Sequence, residues 1–146
     1  MIVHRLTLPA HRALDGEGAR LYGGRWNSPG RPMIYTSASP SLPVLEVMVH
    51  LDLDPAYLPD DYHLLGIELP DDAPAERLDE APADPAACAA LGDDFLLRGS
   101  ALSLSVPSVV VPQDRNLLIN PRHAAAARIR IVTDAPFRFD PRLFSR

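Results

Sequence analysis

An α+β fold, with a mixed or antiparallel β core and short helices, is predicted by three observations. The apolar runs are short and separated by turn residues. Helical and strand patterns do not alternate regularly, which argues against a doubly wound parallel sheet. Sixteen prolines are scattered through the 146 residues, about twice the average usage of roughly 5%, so turns are frequent. This length suits one domain, residues 1–146, with a substantial core.

Residues 2–8 alternate in character and read as an opening strand. Residues 11–24 are polar and glycine-rich, hence loop or a short helix. Residues 32–37 form a short β-prone run. Ser39-Pro40-Ser41-Leu42-Pro43 has the form of a helix start, with serine available as N-cap and proline tolerated in the first turn. That helix extends to about Leu51, with Leu42, Leu45 and Val49 on one stripe. Residues 62–69 alternate as a half-buried strand does. Residues 71–84 are acidic and rich in proline and alanine, which predicts a surface loop. Asp84-Pro85 opens a short helix through Leu91, and a further turn spans residues 93–98 before Gly99. Residues 101–106, 108–111, 117–119 and 129–132 read as short strands. Asn120-Pro121 caps a short helix over residues 122–127.

Composition narrows the function classes. A hydrophobic share of 47% and a charged share of 23% are ordinary for a soluble protein. With a net charge of −5, general attraction to nucleic acid is not expected. Cys88 is the single cysteine, without a partner for a disulfide or a CxxC site, which fits a reducing cytoplasm. Residues 1–10 carry His4 and Arg5 and lack the apolar run of a signal peptide, and no stretch approaches the roughly 20 apolar residues that span a bilayer. A soluble, cytoplasmic protein is expected. The five histidines have no zinc-ligand spacing, so no metal is expected. No GxxxxGK[ST] loop, no GxGxxG and no GxSxG elbow occurs.

The richest stretch is Tyr22-Gly23-Gly24-Arg25-Trp26-Asn27-Ser28-Pro29-Gly30. Glycines let backbone approach a ligand, and arginine presents a rigid fork of donors suited to phosphate oxygens. Arg25 reads as a phosphate clamp, against the plainer reading of a surface arginine packed on Trp26. Trp26 reads as core and Asn27 as a turn former. Tyr35 either stacks on a planar base or is a half-buried structural residue. Glu46 interrupts the most apolar part of its helix, so it lies on the exposed stripe or is held inside for a purpose; periodicity favours the exposed stripe. Ser108 either bonds backbone at a strand start or reaches a ligand. Asn120 has a ready explanation as an N-cap.

The order Gly24-Arg25-Trp26-Asn27, Tyr35-Thr36-Ser37, Leu45-Glu46, Gly99-Ser100-Ala101-Leu102, Val106-Pro107-Ser108, Asn120-Pro121-Arg122-His123 and Pro136-Phe137-Arg138-Phe139-Asp140-Pro141-Arg142-Leu143 resembles the RES domain, over nearly the whole chain. The resemblance implies an ADP-ribosyltransferase-like fold and the toxin of a toxin–antitoxin pair. It further implies a cytoplasmic toxin–antitoxin hetero-oligomer, formed with an Xre-type helix-turn-helix antitoxin. NAD is the implied substrate, cleaved at the nicotinamide–ribose bond by hydrolysis or phosphorolysis, or spent in ADP-ribosylating a host protein. A module that binds nucleotide or antitoxin without turnover is the third possibility. By the same likeness Arg25, Glu46 and Ser108 are the residues that name the family, Tyr35 lines the nicotinamide side, and Asn120 is a pocket residue. Pro43 near the start of the glutamate helix, and Phe95 where relatives often carry tryptophan, depart from the family pattern.

Overall fold

The computed structural model describes residues 1–50 and 54–144. Its frame is one seven-stranded sheet: β1 (Ile2–Thr7), β2 (Ile34–Ser37), β3 (Tyr62–Glu68), β4 (Ala75–Arg77), β5 (Ser103–Pro107), β6 (Arg115–Ile119) and β7 (Arg130–Phe137). The spatial order is β4-β5-β6-β2-β1-β3-β7, with every pair antiparallel except β4 and β5. The α+β class with a mixed sheet is therefore observed. Three α-helices accompany it: α1 (Glu17–Tyr22), α2 (Ser41–His50) and α3 (Pro85–Arg98). Among the described residues no helix is long and apolar enough to cross a membrane.

Strand alternation gives the sheet two different buried faces. Leu104, Val106 and Leu118 pack with Cys88 and Phe95 of α3 and with Trp26 and Met33. Val3, Ile34, Leu65, Ile67, Leu117 and Ile119 form the second cluster, closed by Ala125. In register, Tyr35 lies opposite Leu118 and Ser37 opposite Asn116, so these polar side chains belong to the α3 face.

Several expected elements differ. Residues 85–98 form one continuous helix, not a short helix and a separate turn. Gly92 does not break it, because Cys88, Gly92 and Phe95 make one buried stripe at helical spacing. Asp84 caps it through the Ala86 N–H, and Gly99, at φ 60°, ends it. The expected surface loop at residues 71–84 contains β4, whose short parallel pairing leaves almost no periodicity to read. Residues 108–111 are a turn, not a strand, because the Ser108 hydroxyl accepts the N–H groups of Val110 and Val111. The helix expected over residues 122–127 is a 3-10 helix, Ala124–Arg128, capped by His123 in place of Asn120. At α2 the hydroxyl of Ser39 is turned to Asp114, and the expected end at Leu51 lies outside the described residues.

Candidate active site

Two side-chain networks on the α3 face are joined by β2. The first holds the arginine loop. Gly23, at φ 72°, closes α1, and Gly24 and Asn27 then pair as an isolated bridge with Arg25 and Trp26 at its tip. Trp26 is 2% exposed and belongs to the core, as its sequence predicts. Asn27 does more than form the turn. Its Nδ2 donates to the carbonyls of Ala19, Ser28 and Arg31, while its Oδ1 accepts the Tyr35 hydroxyl at 2.6 Å. That hydroxyl in turn accepts the Trp26 N–H at 3.0 Å. Burial pushes the Tyr35 phenol well above its ordinary value, so it stays a donor.

The same loop is fastened to α3. Ser28 donates its N–H and its hydroxyl to the two oxygens of Asp93, at 2.9 and 2.6 Å. Next to Asp93, a Cβ on Gly92 would stand 1.6 Å from the Trp26 carbonyl oxygen, so the backbones meet only because residue 92 is glycine. Held in this way, Arg25 is half-buried, and its Nε is buried with no partner among the described residues. A guanidinium so placed lacks an acceptor, which an oxyanion would supply.

The second network is built around Glu46. The residue is half-buried and faces the sheet, which corrects the exposed-stripe reading. The apolar stripe is corrected with it: Leu42 and Pro43 are the buried residues of α2, whereas Leu45 is 39% and Val49 63% exposed. Glu46 Oε1 accepts from Asn116 Nδ2 at 2.7 Å and from the Ser108 hydroxyl at 2.9 Å. Ser37, directly across from Asn116, donates its hydroxyl to Asn116 Oδ1 at 2.8 Å. The Ser108 hydroxyl can donate to Glu46 because its lone pairs already receive the Val110 and Val111 N–H groups. Oε1 is thus committed, and Oε2 receives no hydrogen bond among the described residues. Tyr35 and Ser37 share a face of β2 about 7 Å apart, at roughly 3.3 Å per residue, so one short strand carries both networks.

Asn120 stands apart from Glu46. It is 3% exposed and lines a cavity of about 240 Å³ with Arg31, Pro32, Leu96, Leu97 and Arg122. A larger cavity, about 330 Å³, lies beside Glu76 and Arg98, where an ion-pair cluster with Asp94 satisfies the charges. The sequence reading missed Ser37, Asn116 and Asp93, whose roles depend on register and on helix phase. It also passed over Arg5, a mostly buried guanidinium in β1 whose Nε has no partner among the described residues. Burial lowers its pKa and Asp15 opposes the shift. A charge inside an otherwise half-apolar strand was the available signal.

The chain matches the RES domain model over residues 2–140 and belongs to that family. It is 40% identical to a protein named Toxin Res from Pseudomonas putida, over 99% of this chain and 100% of that protein. It is 35% identical to a Sphingobium protein named Prs ADP-ribosylating toxin, over 91% of this chain and 88% of the other. Among solved structures the MbcT–MbcA toxin–antitoxin complex of M. tuberculosis contains a similar fold, with a TM-score of 0.76 at 22% identity, covering 97% of this chain and 85% of that one.

Proposed function

We propose that this chain is the toxin of a toxin–antitoxin pair and an enzyme that consumes NAD by breaking the nicotinamide–ribose bond. The observation that carries the reading is the carboxylate of Glu46, with Oε1 held by Ser108 and Asn116 and Oε2 left for a ligand. Heterolysis leaves the bonding electron pair on the nicotinamide nitrogen and an oxocarbenium-like centre on the ribose carbon. Glu46 stabilises that positive charge or holds a ribose hydroxyl, in an orientation it need not acquire during the reaction. Arg25 takes the pyrophosphate through its unpaired guanidinium and fixes the position of the sugar. Tyr35 holds the Arg25 loop through its hydroxyl and offers its ring toward the nicotinamide side. Nicotinamide departs neutral, so no strong general acid is needed. Water or phosphate then attacks the ribose carbon and loses a proton.

The test is release of nicotinamide from NAD, with and without phosphate. The wild-type protein should release it, and Glu46→Gln and Arg25→Ala should each lower turnover by about 10²–10³-fold while the protein stays folded. Binding of NAD without release, in buffer and in lysate, would sink the reading and leave a binding module. ADP-ribosylation of a host protein is the second reading, favoured by the name of the Sphingobium relative. Adenine-labelled NAD in a lysate separates the two: label retained on a discrete protein means transfer. The partner is an antitoxin, a reading supported by the similar fold in a toxin–antitoxin complex; its Xre type and a cytoplasmic hetero-oligomer rest on the family resemblance alone.

A further inference from the structure

We propose that the cavity between the end of β6 and the last turns of α3 is a second anion site, built for a phosphate group and separate from the Glu46 network. Asn120 is buried, and its Oδ1 is used by the Arg122 backbone N–H at 3.0 Å. Its NH₂ group donates to nothing among the described residues, although it lines the cavity. The Arg122 guanidinium likewise makes no hydrogen bond or ion pair among the described residues. Arg31 lies 3.9 Å from Asp93, beyond hydrogen-bond distance, and both Asp93 oxygens already serve Ser28.

Three groups that can only donate, two of them cationic, therefore meet in one concavity. Its remaining walls are Pro32, Leu96 and Leu97, and no acidic side chain lines it. Charge-assisted bonds from a guanidinium to an oxyanion are among the stronger hydrogen bonds. In a chain of net charge −5, two guanidiniums beside a buried amide are a local arrangement and not part of a generally basic surface. The guanidinium fork suits phosphate oxygens, and about 240 Å³ accommodates a phosphate with part of whatever carries it.

The experiment titrates the intact chain by calorimetry in chloride buffer without NAD, first with inorganic phosphate and then with ADP. Phosphate binding should saturate, and the Arg31→Ser/Arg122→Ser double variant should weaken it at least about tenfold. Asn120→Asp, isosteric and still able to accept the Arg122 N–H, should do the same, while Arg128→Ser, in an exposed ion pair with Asp72 outside the cavity, stays within about twofold. ADP binding more tightly than phosphate, with the same loss in the double variant, identifies a nucleotide phosphate; phosphate alone binding identifies the free ion. The proposal is overturned if the wild type fails to saturate, or if the double variant binds phosphate as the wild type does. Because no NAD is turned over, these outcomes are independent of the nicotinamide-release assay.

Discussion

Asn116 in β6 and Asn120 just past the strand's end carry the same amide and use it in opposite ways. Asn116 uses both its oxygen and its NH₂ group: it receives the Ser37 hydroxyl and donates to Glu46, and so fixes a negative charge where α2 meets the sheet. Asn120, four positions along, keeps its oxygen for the turn after it, and its NH₂ has no partner among the described residues in a cavity that Arg31 and Arg122 also line. About 13 Å separates them, at roughly 3.3 Å per residue. The contrast lies in the use of the NH₂ group. At Asn116 it holds a carboxylate in place, whereas at Asn120 it is open to receive an anion.

The strongest way to break this contrast is Asn116→Asp. The new carboxylate still accepts from Ser37 but faces Glu46 Oε1 in place of a donor, so NAD turnover should fall about 10²–10³-fold while phosphate affinity stays within about twofold. Unchanged nicotinamide release would mean that Glu46 is not the working carboxylate. The same change at the other end, Asn120→Asp, should cost at least about tenfold in phosphate affinity by calorimetry. Parallel behaviour of the two variants would erase the distinction.

Asp93→Asn probes the fastening between the two regions. Loss of the charge-assisted bonds from Ser28 should raise the KM for NAD by about tenfold with kcat nearly unchanged, since the Arg25 loop is loosened and Glu46 is not. A fall in kcat alone would contradict a positioning role. Tyr35→Phe sharpens the comparison least. It leaves Asn27 Oδ1 and the Trp26 N–H without their partner and should cost about 1–3 kcal/mol in urea unfolding. The folded-state phenol is raised, so its contribution is complete below the ordinary value of about 10 and declines as pH climbs toward the folded value. Wild type should therefore lose stability above about pH 10, and Tyr35→Phe should lose less over the same range.

Much of this was legible in the residues. The alternation of β1 and β3, the turn chemistry of residues 23–30 and the burial of Trp26 all follow from local pattern. Glu46 was legible as an anomaly but not in direction, because its helix is apolar nearly all round and the phase that buries a stripe depends on the sheet beneath. Ser108 was placed in a strand because Val109-Val110-Val111 is strongly β-prone, yet a hydroxyl competing for two backbone N–H groups outweighed that propensity. The Ser37–Asn116 and Ser28–Asp93 bonds join residues 79 and 65 positions apart, and no local pattern records them. Asp84-Pro85 announced the start of α3 correctly, whereas its expected end at Leu91 fell one residue short of Gly92, where the fold needs a gap for a neighbouring backbone.

Gly92 has a consequence for inheritance. A loop and a helix that touch through a missing side chain cannot vary independently: any larger residue at position 92 demands a different path for Trp26, and a loop of another shape leaves a void above the glycine. Residues 23–31 and the middle turn of α3 form one exchangeable cassette. A chimera that borrows the arginine loop from a relative should fold well only when it also borrows the helix positions that receive it.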